Sequence, residues 1–182
     1  NHIISGLYIN KHETHMGLFG SIDPEGTVEN LTVSGSVTGH DYIGGIAGES
    51  SGTISNCTSN CSVSGENYVG GIAGSSNHTI SGCKNYGSVS SSDRGAYAGG
   101  IVGRSGGSTI SGCANYGAVT GEGANSNVGG VAGLNIGSVS NCYNTASVSG
   151  GAANSIGGVA GFNSGSVSNC YNTASVSGGA AN

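Results

Sequence analysis

The sequence predicts an all-β chain, a right-handed parallel β-helix (β-solenoid) with about 28 residues and three short strands per coil. Three observations predict it. A Gly-apolar-x-Gly motif starts at Gly17, Gly45, Gly71, Gly100, Gly130 and Gly158, at steps of 28, 26, 29, 30 and 28 residues. Columns of apolar residues keep phase with that motif. Short β-branched segments alternating with polar residues are punctuated by Gly and Asn, the pattern of one supersecondary unit per repeat.

The first column is Ile4, Val28, Ile54, Ile80, Ile110, Val139 and Val167. Three residues on, a second holds Leu7, Leu31, Cys57, Cys83, Cys113, Cys142 and Cys170, followed after six more residues by Val37, Val63, Val89, Val119, Val148 and Val176. These columns define three strands: one around the Ile/Val-x-x-Cys run, one ending in Ser-Val-Ser-Gly, and one running into Gly-Gly-Ile-Ala-Gly. At the usual strand spacing of about 4.8 Å, six coils make a rod roughly 30 Å long.

A three-residue step between the Ile and Cys columns breaks the period of two that would point both inward along one strand, so the chain must bend there. The residue just before each Cys-column member is Gly6, Asn30, Asn56, Gly82, Gly112, Asn141 or Asn169. Gly and Asn most readily take a left-handed backbone, which predicts a corner. Because Gly alternates with Asn, no unbroken Asn ladder can run along it. The sequons at Asn30, Asn56, Asn60 and Asn77 mostly adjoin this corner and read as products of repeat composition.

Six cysteines would ordinarily raise a disulfide framework. Five of them share one column with Leu, the behaviour of a small buried apolar residue. Stacked neighbours about 4.8 Å apart are also too distant for a bridge, which wants Cβ atoms about 3.8 Å apart, so buried free thiols are expected. Cys61 shares its column with Gly35, Gly87, Gly117, Ala146 and Ala174 and reads as another small interior or corner residue.

Gly, Ser, Asn and Thr account for 99 of the 182 residues, against 13 charged side chains and no Trp. Composition alone would describe a flexible linker, but a linker has no reason to keep apolar columns in phase. Helical and α/β folds are disfavoured by so much Gly and Ser. No run of 18 apolar residues exists to make a spanning helix, so the chain is not expected to be membrane-embedded. A net charge of −5 disfavours nucleic acid.

The Gly-Leu-Phe-Gly and Gly-Gly-Ile-Ala-Gly cores, followed by Thr-Ile-Ser-Asn-Cys or Ser-Val-Ser-Asn-Cys and then Ser-Val-Ser-Gly, resemble the bacterial GLUG-motif repeat over nearly the whole chain. That resemblance implies a segment of a large secreted or surface-anchored bacterial protein, with adhesins and the flanking regions of some IgA-cleaving metallopeptidases among its kin. The expected location is extracellular or at the cell surface. The first repeat departs from the pattern, with Met16 where later coils have Gly and an irregular stretch from Lys11 to His15.

One solenoid domain over 1–182, with an irregular first coil over 1–30, is therefore expected. Residues 137–154 recur identically at 165–182, and both termini fall in mid-coil, so the expectation is a piece of a longer parent with further repeats or domains on both sides.

No His-Glu-x-x-His, Gly-x-Ser-x-Gly or phosphate-loop pattern occurs, and the sparse charges do not gather as polysaccharide cleavage would need. The expectation is a chain without catalysis, cofactor or metal: a spacer or adhesive module, with a β-helix appendage of a secreted enzyme as the alternative. An ice-binding solenoid is the remote one, since Thr27, Thr53, Thr79 and Thr109 align before giving way to Ser138 and Ser166. The five histidines read as surface residues, and a metal pair of His12 with His15 lacks a third ligand nearby.

Loop length varies on one edge, between the Val column and the glycine motif. His40, Asp41, Tyr42, Glu66, Tyr68, Asp93, Arg94, Tyr97 and Glu122 gather there. Variable loops on a rigid scaffold are where binding concentrates. This edge is the candidate contact for a host glycan or protein, with tyrosines as stacking platforms; solvated loop tips without a ligand are the plainer alternative.

Overall fold

A computed structural model describes residues 2–151 and 155–179. Among them every regular element is a strand, and all pairings are parallel and between successive coils. One coil illustrates the rest. Thr58–Gly65 forms the first face, Asn67–Gly70 the second, Ala73–Ser76 the third and Thr79–Ser81 the fourth. Each segment hydrogen-bonds to its counterparts one coil before and after, so four parallel sheets wrap a single core about six coils deep.

There are thus four strand positions per coil where the sequence predicts three. The difference lies in the Gly-Gly-Ile-Ala-Gly run, expected as one strand. It divides at Gly71-Ile72 into the second and third faces. The backbone turns there because the glycines permit approaches that no side chain would: a Cβ on Gly70 would lie 2.0 Å from the Ala73 carbonyl oxygen.

From Val28 onward the apolar columns stand in register as expected; the first coil departs, with Ile4 paired to Val33 and Leu7 to Gly35 rather than to Val28 and Leu31. Ile54 pairs with Ile80, Ile80 with Ile110, Ile110 with Val139 and Val139 with Val167. Ile54, Ile80 and Ile110 are wholly buried, as are Val37, Val119 and Val148 from the next column. The core also takes in Ile46, Ile72, Ile101 and Val131 from the glycine motif.

Every predicted corner residue has a left-handed backbone, with φ of 75° at Gly6, 56° at Asn30, 51° at Asn56, 60° at both Gly82 and Gly112, 53° at Asn141 and 51° at Asn169. From Asn30 to Asn169 that corner joins the fourth face to the first, whereas Gly6 lies inside the strand His2–Asn10 at its register shift. Cys57, Cys61, Cys83, Cys113 and Cys142 are buried free thiols and Cys170 is half-buried. Column thiols donate to nearby backbone carbonyls, as Cys57 does to Ser55 at 3.2 Å and Cys142 to Ser140 at 3.1 Å. Burial pushes the Cys61 thiol above its ordinary pKa.

In the first coil, His2–Asn10 pairs with Leu31–Thr38 through a register shift between Ile4 and Leu7. Residues 11–18 are held by a single bridge from Met16 to Ile43 and by backbone hydrogen bonds to the next coil.

Candidate functional site

The corner between the first and second faces carries the residues singled out by loop length. Here the backbone turns of successive coils are hydrogen-bonded to one another. Lys11 N donates to Thr38 O, His40 N to Glu13 O, His15 N to Asp41 O, Glu66 N to His40 O and Asp93 N to Glu66 O. Side chains from different coils therefore stack into two groups.

The first is an aromatic ladder. His15 stacks on Tyr42 with ring centroids 4.7 Å apart, Tyr42 on Tyr68 at 4.7 Å and Tyr68 on Tyr97 at 5.3 Å, all within 13° of parallel. Such pairs contribute about 0.5–1.5 kcal/mol each beyond simple burial. His15, Tyr42 and Tyr68 hold φ of 57°, 58° and 47°, a left-handed geometry uncommon for bulky residues. Burial, reinforced by the Tyr42 and Tyr97 phenols, raises the pKa of Tyr68. The tyrosines do form a stack, but each inner ring spends its faces on its neighbours. What the ladder presents outward is ring edges and hydroxyls.

The second group is polar. His12 Nδ1 lies 3.4 Å from Glu66 Oε1, and His40 Nε2 lies 3.2 Å from Glu66 Oε2. The other ring nitrogen of His40 lies 3.3 Å from Asp41 Oδ2. The two imidazoles meet edge to face at 4.8 Å. His12 is thus associated with His40 and Glu66, one and two coils along. It is not paired with His15, whose Nε2 lies 3.5 Å from Glu49 instead. Stacking brings together residues one coil step apart in sequence, and a three-residue step in an irregular loop does not.

Asp93, Arg94 and Glu122 join neither group. All three are exposed, and Asp93 uses its carboxylate to accept the Arg94 backbone N–H at 2.7 Å. The longer loops of these coils carry them past the stacked residues. On the fourth face Thr27 pairs with Thr53, Thr79 with Thr109 and Thr109 with Ser138, so the aligned hydroxyl column is in register.

Two further ladders escaped the sequence reading. Asn85 Nδ2 donates to Asn115 Oδ1 at 2.9 Å, Asn115 to Asn144 at 2.7 Å and Asn144 to Asn172 at 2.7 Å. These amides lie two residues after the cysteine column, not at the Asn corner before it, and Asn85, Asn115 and Asn144 are wholly buried. Each also donates to the carbonyl two residues on, Gly87, Gly117, Ala146 and Ala174 respectively. That local bond curls the backbone. It accounts for the break of the first face into two short strands from the coil of Asn85 onward, while Thr58–Gly65, with Ser59 in this column, stays whole. Beside the amides runs a second aromatic row. Tyr86 stacks on Tyr116 at 4.6 Å, Tyr116 meets Tyr143 edge to face and Tyr143 stacks on Tyr171 at 5.1 Å. The Tyr116 and Tyr143 hydroxyls hydrogen-bond, which with burial pushes Tyr116 up to about 12.

The glycine motif now has a steric meaning. Its first glycine lies directly against the amide column: a Cβ on Gly71 would sit 2.3 Å from Asn85 Cγ, and one on Gly100 2.2 Å from Asn115 Cγ. Residues 124–149 and 152–177 match the family described as "The GLUG motif". Over these two segments the chain is similar to the GLUG repeat. The two matched segments take in the amide pair Asn144 and Asn172 together with Gly130 and Gly158, whose missing Cβ atoms leave room for them.

Among solved structures, the chain is similar to a crystal structure described as a "putative immunoglobulin A1 protease" from Bacteroides ovatus. The two share 28% sequence identity with a TM-score of 0.63, over 82% of this chain and 50% of that one. The chain therefore spans about half the length of that protein. No curated protein is significantly similar to it in sequence.

Proposed function

We propose that the chain is a non-catalytic structural repeat module of a large bacterial cell-surface or secreted protein, acting as a spacer or ligand-presenting rod. The observation that carries this reading is the repeated register: the core column from Ile54 to Val167 and the amide column from Asn85 to Asn172 pass from coil to coil with the same partner geometry. In such an array each coil contacts its neighbours, so length can be added or removed by whole coils without redesign. That is the property a spacer needs.

A second reading is an appendage of a secreted enzyme, supported by the likeness to the Bacteroides ovatus protein. In both readings the chain itself does no chemistry, and an adhesive role would rest on the His15–Tyr97 edge. Incubation of the purified chain with human immunoglobulin A1 tests the shared core of the two. The expected result is intact heavy chain after prolonged incubation, and cleavage by the purified chain would overturn the proposal.

A further inference from the structure

The His12, His40 and Glu66 side chains come from three successive coils, and one potential ligand atom from each lies within 4.8 Å of the other two. We propose that this corner is a binding site for a divalent transition-metal ion of the zinc class, with His12, His40 and Glu66 as its protein ligands.

The chemistry of the set fits such an ion. Two imidazoles and one carboxylate are the donors that Zn²⁺ accepts, with bonds of about 2.0–2.2 Å and a fourth position open to water. Tetrahedral ligands at that distance stand roughly 3.3 Å from one another. The two direct separations here, 3.4 Å from His12 Nδ1 to Glu66 Oε1 and 3.2 Å from His40 Nε2 to Glu66 Oε2, are of that size and run to different oxygens, so an ion seated here would face both oxygens of the Glu66 carboxylate. His12 is exposed, which leaves its ring free to close on His40.

A second feature is independent of those distances. Metal-bound histidines characteristically donate their other ring N–H to a carboxylate, which fixes the tautomer and orientation. His40 has this arrangement: Nε2 faces Glu66 while Nδ1 faces Asp41 Oδ2 at 3.3 Å. Asp41 is thus a positioning residue that leaves the His40 Nε2 lone pair directed at the site.

The site is also built into the coil register. His12, His40 and Glu66 follow one another at 28 and 26 residues, the same two steps that separate Gly17, Gly45 and Gly71. Backbone bonds from His40 N to Glu13 O at 2.9 Å and from Glu66 N to His40 O at 2.8 Å hold the three turns together. A bound ion would staple the irregular loop of the first coil to the two regular coils beside it.

The test is calorimetric titration of the metal-free chain with Zn²⁺, followed by Co²⁺ substitution and absorption spectroscopy. One ion per chain is expected, with a rise in melting temperature on loading. His40→Ala and Glu66→Gln should each weaken binding at least tenfold, while His15→Ala should leave it unchanged. Asp41→Asn should weaken it by about 10–100-fold with the ligands intact. Glu66→Gln keeps the side-chain shape, so it reports on ligation even if His40→Ala perturbs folding. The Co²⁺ spectrum should lack thiolate charge-transfer bands, which separates this site from the cysteine column. Absence of Zn²⁺ binding at 100-fold molar excess, binding undiminished in Glu66→Gln, or a thiolate spectrum would each overturn the assignment.

Discussion

Asn115 donates from Nδ2 both to Asn144 Oδ1, one coil along, and to Gly117 O within its own coil, at 2.7 and 2.8 Å. One wholly buried amide thereby ties two coils together and bends its own strand. Its oxygen accepts from Asn85, so removing it disturbs both neighbours.

Asn115→Ala leaves the Asn85 amide and the Gly117 carbonyl without these partners in a buried setting. Unsatisfied buried groups cost about 1–3 kcal/mol each, so a loss of roughly 2–4 kcal/mol is expected in urea unfolding. The reverse change is available one coil earlier, because Asn85 Oδ1 has no hydrogen-bond partner and Ser59 stands opposite it. Ser59→Asn should extend the ladder and raise stability by about 1 kcal/mol.

Gly100→Ala tests the steric reading of the motif. Its Cβ would meet Asn115 Cγ and the Gly130 carbonyl oxygen, each at 2.2 Å, both in the packed interior. Overpacking of this kind costs about 1–3 kcal/mol or more, and the loss should appear as a lower denaturant midpoint with little change in slope. If the amide is the obstacle, Asn115→Gly should cost less in the Gly100→Ala chain than it does alone.

The buried Cys61 thiol gives a pH dependence of known sign. Burial raises the Cys61 thiol in the fold, so the folded state favours the neutral form. The stability this contributes is fully present below the free thiol value of about 8.5 and is lost as pH rises above it. Through Cys61 the urea midpoint should therefore hold steady to about pH 8 and fall as pH rises from there toward the raised folded value. Cys61→Ala, the residue that Ala146 and Ala174 supply in the same column, should flatten part of that fall. In the native chain a thiol reagent should react first at Cys170, the half-buried member.

Tyr116 should titrate late. Its hydrogen bond with Tyr143, aided by burial, lifts it to about 12, so the neutral pair adds stability below the free phenol value of about 10 that fades as pH climbs toward the raised one. Ultraviolet titration should resolve this phenol from the others, and Tyr143→Phe should return it toward the ordinary range.

The tyrosine edge carries its own test. Tyr68→Ala removes the middle of the His15–Tyr97 stack, so near-ultraviolet circular dichroism should lose intensity and stability should fall by about 1–3 kcal/mol. Tyr68→Val should cost more than Tyr68→Gly, since a β-branched residue resists the φ of 47° that glycine takes freely. If the edge contacts glycan, Tyr68→Ala and Tyr97→Ala should lower retention on an immobilised glycan panel; unchanged retention counts against that contact.

How far the sequence revealed this fold depends on what each column demands. The corner was legible because a left-handed backbone narrows the choice to Gly and Asn, and the six positions from Asn30 to Asn169 obey; Gly6 shares the φ but lies at a register shift inside its strand. The Ile, Cys and Val columns were legible because burial excludes polar residues. The Asn85–Asn172 ladder was not, since an amide that hydrogen-bonds inside a solenoid is spelled with the same letter as one facing water. The fourth strand position was hidden by the glycines of Gly-Gly-Ile-Ala-Gly, which mark a turn without marking its angle. His12 and His15 are neighbours in sequence, but the coil steps of 28 and 26 place His12 with His40 and Glu66.

Every amide in the buried row faces the same way, each nitrogen toward the next coil and each oxygen toward the one before. The shorter pairing of Asn135 with Asn163 runs in that sense too, and it likewise begins with an unpartnered carbonyl oxygen. Aligned dipoles polarise one another, so the interior of the rod has a head and a tail in an electrical sense. Coils stacked in the native orientation join nitrogen to oxygen at every step. Coils turned end over end would set oxygen against oxygen in a dry core, which makes the direction of growth a property of the side chains as well as of the strands.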